Sequence, residues 1–160
     1  MSNYLNDQSL PRGIRNNNPG NIVYSSANNW QGKVSYADNQ DDNKHFEQFV
    51  EMKYGVRALM RLLINDINAG KNTAQSLISS YAPSFENNTG AYIDTVVNII
   101  GFGITELLDL SEDTIVALCH AIITVEDGPS YLSYVTDQDF NDALAILGIT
   151  LKKKTVPRRK

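Results

Sequence analysis

Glu51-Met52-Lys53-Tyr54-Gly55-Val56-Arg57-Ala58-Leu59-Met60-Arg61-Leu62-Leu63-Ile64-Asn65-Asp66-Ile67-Asn68-Ala69-Gly70 sets Met52, Val56, Leu59, Met60, Leu63 and Ile67 three or four positions apart and ends at a glycine. Apolar side chains at that spacing share one stripe of an α-helix, and glycine is at home just past a helix end, so the stretch predicts an amphipathic helix. The same period returns towards the C-terminus. Residues 73–80 predict a shorter helix stopped by Pro83, and residues 89–100 a third with Tyr92, Val96, Ile99 and Ile100 on one side. A fourth begins behind Ser111, whose hydroxyl suits an N-cap, with Glu112 and Asp113 in the first turn where the helix dipole favours negative charge. A fifth covers residues 137–147, with Phe140, Leu144 and Leu147, and stops at Gly148.

Towards the N-terminus the pattern changes. Residues 22–50 scatter Tyr24, Trp30, Val34, Tyr36, Phe46 and Phe49 among Asn, Asp and Gly, a composition of two or three short strands and turns. The fold class expected is therefore mainly α, an α+β arrangement of core helices with a small β-rich lobe. Asp41, Asp42 and Asn43 read as a solvated turn, because the glycine and distant glutamate of a calcium loop are missing; no metal is expected there.

The chain of 160 residues, 42% of them apolar, has enough material for one core. Residues 12–151 are expected to form a single domain, preceded by a flexible leader over residues 1–11 and followed by a disordered basic tail over residues 152–160. That tail holds six of the fourteen basic residues, so in residues 1–151 eight Lys and Arg face eighteen Asp and Glu. An acidic body without a basic aromatic face argues against nucleic acid as the main partner. No run of apolar residues reaches membrane-spanning length, and residues 1–11 have neither the basic start nor the apolar stretch of a secretory signal. The one cysteine, Cys119, lies in an apolar helical run and reads as a buried thiol; its neighbour His120 projects about 100° away on a helix and cannot serve it as a base. With His45 and His120 the only histidines, no zinc set is visible and no cofactor is expected.

Two features carry chemistry. Residues 12–22, Arg-Gly-Ile-Arg-Asn-Asn-Asn-Pro-Gly-Asn-Ile, combine four Asn, two Gly and a Pro between and beside two Arg, which predicts a tight, ordered, turn-rich loop rich in amide donors and acceptors. In the fourth helix Ile115, Cys119, Ile122 and Glu126 fall at spacings of four, three and four, which puts a carboxyl at the end of an apolar stripe and at the negative end of the helix dipole. Both effects disfavour its charged form, the property a general acid needs near neutral pH. The plainer alternative is a last-turn glutamate that faces water or pairs with Arg57 or Arg61.

The loop, followed by Phe49, Tyr54-Gly55-Val56-Arg57-Ala58-Leu59, Tyr81-Ala82-Pro83, Glu86-Asn87-Asn88-Thr89, Tyr92, and Ala121-Ile122-Ile123 with Glu126 and Gly128, resembles small phage and prophage proteins of structural or lysozyme-like lytic type. More distantly it is similar to the glucosaminidases and lytic transglycosylases of the lysozyme superfamily, with the order of blocks rotated, as in a circular permutation. The resemblance implies a lysozyme-like helical domain that cleaves the glycan strand of peptidoglycan, as a muramidase or lytic transglycosylase. Glu126 would be its acid, with Tyr81 and Glu86 as further catalytic candidates and Glu47 as a weaker one. Arg15, Asn16, Asn18, Asn21 and Thr89 would bind the sugars, and Trp30 and Tyr36 are candidate stacking surfaces. The partners implied are peptidoglycan and other virion proteins, and the setting is a phage virion or the host cytoplasm, with action on the cell wall. The competing expectation is a non-catalytic virion or tail component that binds peptidoglycan or a neighbouring protein.

Overall fold

The computed structural model describes residues 2–83 and 87–152, and among them the chain is mainly helical. The helices are α1 (Arg12–Arg15), α2 (Met52–Asn68), α3 (Ala74–Tyr81), α4 (Thr89–Ile100), α5 (Glu112–Asp127) and α6 (Asp137–Ala145), with 3-10 turns at Asp42–Lys44 and Pro129–Tyr134. The periodic segments became helices α2 to α6, with ends within two residues of those expected. Thr73 caps α3 in a capping box with Ser76, Thr136 caps α6 in another with Asp139, and the Ser111 hydroxyl accepts from the Thr114 N–H at the start of α5. No described helix is long and apolar enough to cross a membrane.

The strands expected in residues 22–50 are not present as a sheet. Val23 pairs with Phe46 and Lys33 with Phe49 as isolated antiparallel bridges, and turns fill the rest. The backbone there is held by scattered bonds such as Val34 N to Gln48 O (2.8 Å) and Glu47 N to Ile22 O (2.9 Å). Apolar residues here are too few and too interrupted by Asn, Asp and Gly to sustain a ladder.

The chain divides into two compact units, one drawn from Met1–Leu59 and Ile123–Gly148, the other from Met60–Ile122 and Ile149–Lys160. In the second, α3 packs on α4, and Leu63, Ile64, Leu77, Ile78, Val96, Ile115, Leu118 and Ile122 are fully buried. In the first, the residues expected as a flexible leader are tied down. The Ser2 N–H donates to Asp139 Oδ1 (3.0 Å), Ser2 O accepts from Met52 N (2.9 Å), and the Tyr4 hydroxyl donates to Tyr134 O (2.7 Å). Buried backbone groups need partners, and this segment supplies them. The basic tail beyond Lys152 lies outside the described residues.

Candidate functional site

The Asn-rich loop opens with the single turn α1 behind Pro11 and continues with Asn17 and Asn21 both at φ 52°. Asparagine tolerates this left-handed region better than other side-chain-bearing residues, which explains two of the four amides. The other two, with Asn17, hold the loop together from inside. Asn16, Asn17 and Asn18 are buried. Asn18 donates to the carbonyls of Ile22 and Glu47 and accepts from the Ile22 N–H, within 3.0 Å in each case. Asn17 donates to Asn3 and to the Phe49 carbonyl and accepts from the Tyr4 N–H. Asn16 donates to Asp41 and accepts from Gln48. Asn16 and Asn18, expected among the sugar-binding residues, thus turn their amides inward, where they replace missing backbone partners in a loop that has no sheet to satisfy it.

Asp41, expected in a solvated turn, is the hub of this network. Arg12 grips it with Nε and Nη2, each at 2.8 Å, while Asn16 and the Phe46 N–H also donate to it. Burial pushes the carboxyl up, but Arg12, Asn16 and Phe46 outweigh that and hold it down at about 2. Arg15 directs its guanidinium to the Leu10 carbonyl (3.1 Å) and towards Asp42, so it too fixes the loop. Glu47 is buried, with Oε2 3.1 Å from both Lys33 Nζ and the Ser25 N–H; burial raises its pKa, opposed by these partners.

Asn21 is the one sugar-binding candidate of the loop that meets the expected acid. Its Nδ2 donates to Glu126 Oε1 at 2.8 Å, at the last turn of α5. Glu126 is half-buried, and the enclosed carboxyl is its neighbour Asp127, 8% exposed, with neither oxygen hydrogen-bonded. Burial first and the adjacent Glu126 second push Asp127 up to about 8. Gly13 makes room for this arrangement: a Cβ there would lie 2.1 Å from Asp127 Oδ1 and 2.9 Å from Asn21 Oδ1. Asn21 Oδ1 is itself buried without a partner. Gly55 does the same on α2, where a Cβ would lie 1.8 Å from the Asn17 carbonyl oxygen.

No family profile matches the chain. Over 126 residues it is 33% identical to Protein P5 of Pseudoalteromonas phage PM2, an alignment covering 77% of this chain and 75% of that protein. The chain belongs to the Protein P5 family. Overlap on that scale concerns the body of both chains rather than a shared motif.

The remaining candidates in this Protein P5 relative lie elsewhere. Tyr81 ends α3 and Thr89 begins α4, both in the second unit, and Glu86 lies outside the described residues. The Thr89 hydroxyl donates to the Ala82 carbonyl and Asn88 caps α4, so Thr89 has a structural partner at the start of that helix. Tyr36 is 54% exposed and packs its ring 5.2 Å from that of Tyr24, whereas Trp30 is half-buried. Among the described residues no three His, Cys, Asp or Glu gather as a metal site. Reading the residues singly missed Asp41, Asp127 and Gly13. The signal available for Gly13 was a glycine inside a helical turn, where it costs about 1 kcal/mol against alanine unless close packing requires it.

Proposed function

We propose that this protein cleaves the glycan strand of peptidoglycan by acid catalysis, with Glu126 delivering a proton to the glycosidic oxygen. The observation that carries the reading is the 2.8 Å hydrogen bond from Asn21 to Glu126, which fixes a half-buried carboxyl at a helix end beside a rigid polar loop. A general acid must be oriented towards the leaving oxygen and partly withdrawn from water, and proton delivery of this kind contributes roughly 10²–10⁴-fold in rate. Asn21, through its own φ of 52° and the buried amides around it, supplies that orientation.

Of the two reaction types, the lytic transglycosylase route fits better. A retaining or inverting hydrolase needs a second carboxylate facing the sugar. Among the described residues, Glu47 is enclosed with Lys33 and Ser25, and Asp127 is enclosed against Gly13, so neither is presented for that role, and Glu86 lies outside the described residues. One acid that later acts as base, with the sugar's 6-hydroxyl closing an anhydro ring, needs no such partner. The phage relative supports a phage setting, and within it we place the action on the host wall, from a virion or from the infected cell, alongside other virion proteins.

Digestion of purified peptidoglycan by wild type and by Glu126→Gln, read by mass spectrometry and paired with sedimentation of the protein on the same peptidoglycan, tests this. Anhydro-ended muropeptides are expected from the wild type, with at least a hundredfold loss in the variant and unchanged sedimentation. Sedimentation without fragments from either protein would replace the enzyme by a wall-binding virion component. Equal fragments from both would remove Glu126 from the mechanism.

A further inference from the structure

Of three buried oxygens without hydrogen-bond partners, Asn21 Oδ1 and Asp127 Oδ1 both crowd the open side of Gly13, Asp127 Oδ2 is the third, and the other end of the same Asn21 amide holds Glu126. A primary amide has one donor end and one acceptor end. An ionised carboxylate only accepts. Set between two carboxyls, the amide satisfies both of its ends only if one carboxyl keeps its proton. Buried polar atoms left unpaired are costly, so three on two neighbouring side chains call for a donor, and the Asp127 proton is the donor the site contains.

We propose that Asn21 bridges the two carboxyls, accepting the Asp127 proton on Oδ1 while donating to Glu126 from Nδ2, so that the three side chains hold one proton between them. Half a turn of the Asn21 amide exchanges its ends. In that second arrangement Glu126 carries the proton and donates to Oδ1, and Asp127, now a carboxylate, accepts from Nδ2. One proton leaves Asp127 to water and one is taken up by Glu126, so the count is unchanged. Asp127 is thus a positioning residue that acts on Glu126 through the Asn21 amide. That consequence rests on the glycan-cleaving reading; the bridge does not.

The upward push on Asp127 agrees with a retained proton at neutral pH. The charged group that acts on it is Glu126 on its own helix; α1, which meets it at Gly13, also carries Arg12 and Arg15. The last two are turned to Asp41 and to the Leu10 carbonyl and Asp42. The loop between α1 and Asn21 contributes only neutral amides, Pro19 and Gly20, and the turn after α5 carries Tyr131, whose ring lies beside Gly128.

The test is an NMR titration of the whole protein without substrate, following the Asp127 carboxyl carbon and the Asn21 side-chain amide together. Both are expected to move with one shared midpoint near 8 in the wild type. The near-isosteric Asp127→Asn should abolish that midpoint at Asn21, and Glu126→Gln should move it. Asn21 resonances that do not follow Asp127, or an Asp127 carboxyl already ionised at about pH 6, two units below the expected midpoint, would overturn the bridge. The wild-type titration decides even if a variant does not fold. Failure of peptidoglycan cleavage leaves this result untouched.

Discussion

In the unit built from the N-terminal residues, Asn16, Asn17, Asn18, Asp41, Glu47 and Gln48 are buried polar side chains, while the unit containing α3 and α4 is filled by Leu63, Ile64, Leu77, Ile78, Val96, Ile115 and Leu118. Its buried polar residues, Ser111 and Thr114, sit at the start of α5. The apolar unit draws stability from area removed from water, which is non-directional and insensitive to pH. The polar unit, although it also buries Ile14, Phe49, Met52, Val56 and Leu59, depends in addition on matched donors and acceptors, where one missing partner leaves others stranded. The first kind tolerates change of shape-preserving type; the second fixes one loop conformation, which a site needs.

Leu118→Ala should have the largest effect on stability. A fully buried leucine cut to alanine costs about 2–5 kcal/mol, and the loss in denaturant unfolding should be the same at acid and neutral pH. A pH-dependent loss would erase the contrast between the units. Gly55→Ala comes next, at about 3 kcal/mol, because the new methyl meets the Asn17 carbonyl oxygen, a backbone atom that cannot swing aside. Unfolding should show it, and an unperturbed midpoint would mean that the loop does not rest on α2.

Asp41→Asn should cost about 2 kcal/mol, and its pH profile sharpens the comparison further. The folded carboxyl is held at about 2 against an ordinary value of 3.8, so its contribution is full above the ordinary value and is lost as pH falls through about 2. Wild type and variant should therefore differ at neutral pH and converge in strong acid. The smallest effect belongs to Cys119. Burial pushes its thiol far up, and alkylation of the folded protein should be undetectable until denaturant is added. Ready labelling in the native state would show the apolar unit to be open.

The helices were legible because a period of three to four apolar residues and a Ser or Thr cap are local signals, and α2 to α6 formed where those signals lay. Residues 22–50 were read as strands from their aromatic and β-branched content, yet only isolated bridges formed, because pairing depends on partners that local composition does not name. In the candidate site the Asn-rich loop and the carboxylate end of α5 were visible as separate features. Their junction at Asn21 and Glu126, 105 positions apart in sequence, was not.

By itself the sequence determined the mainly α class, the helix boundaries, the ordered nature of the Asn-rich loop and the buried state of Cys119, all properties set by neighbours along the chain. Tertiary structure decided which amides are sealed inside, that Asp41 is a hub, and that Asp127, rather than Glu126, is the enclosed carboxyl. Adjacent residues on a helix point about 100° apart, so nothing in their order along the chain can say which one faces Gly13. Only the packing of α1 and its loop against the end of α5 makes that choice.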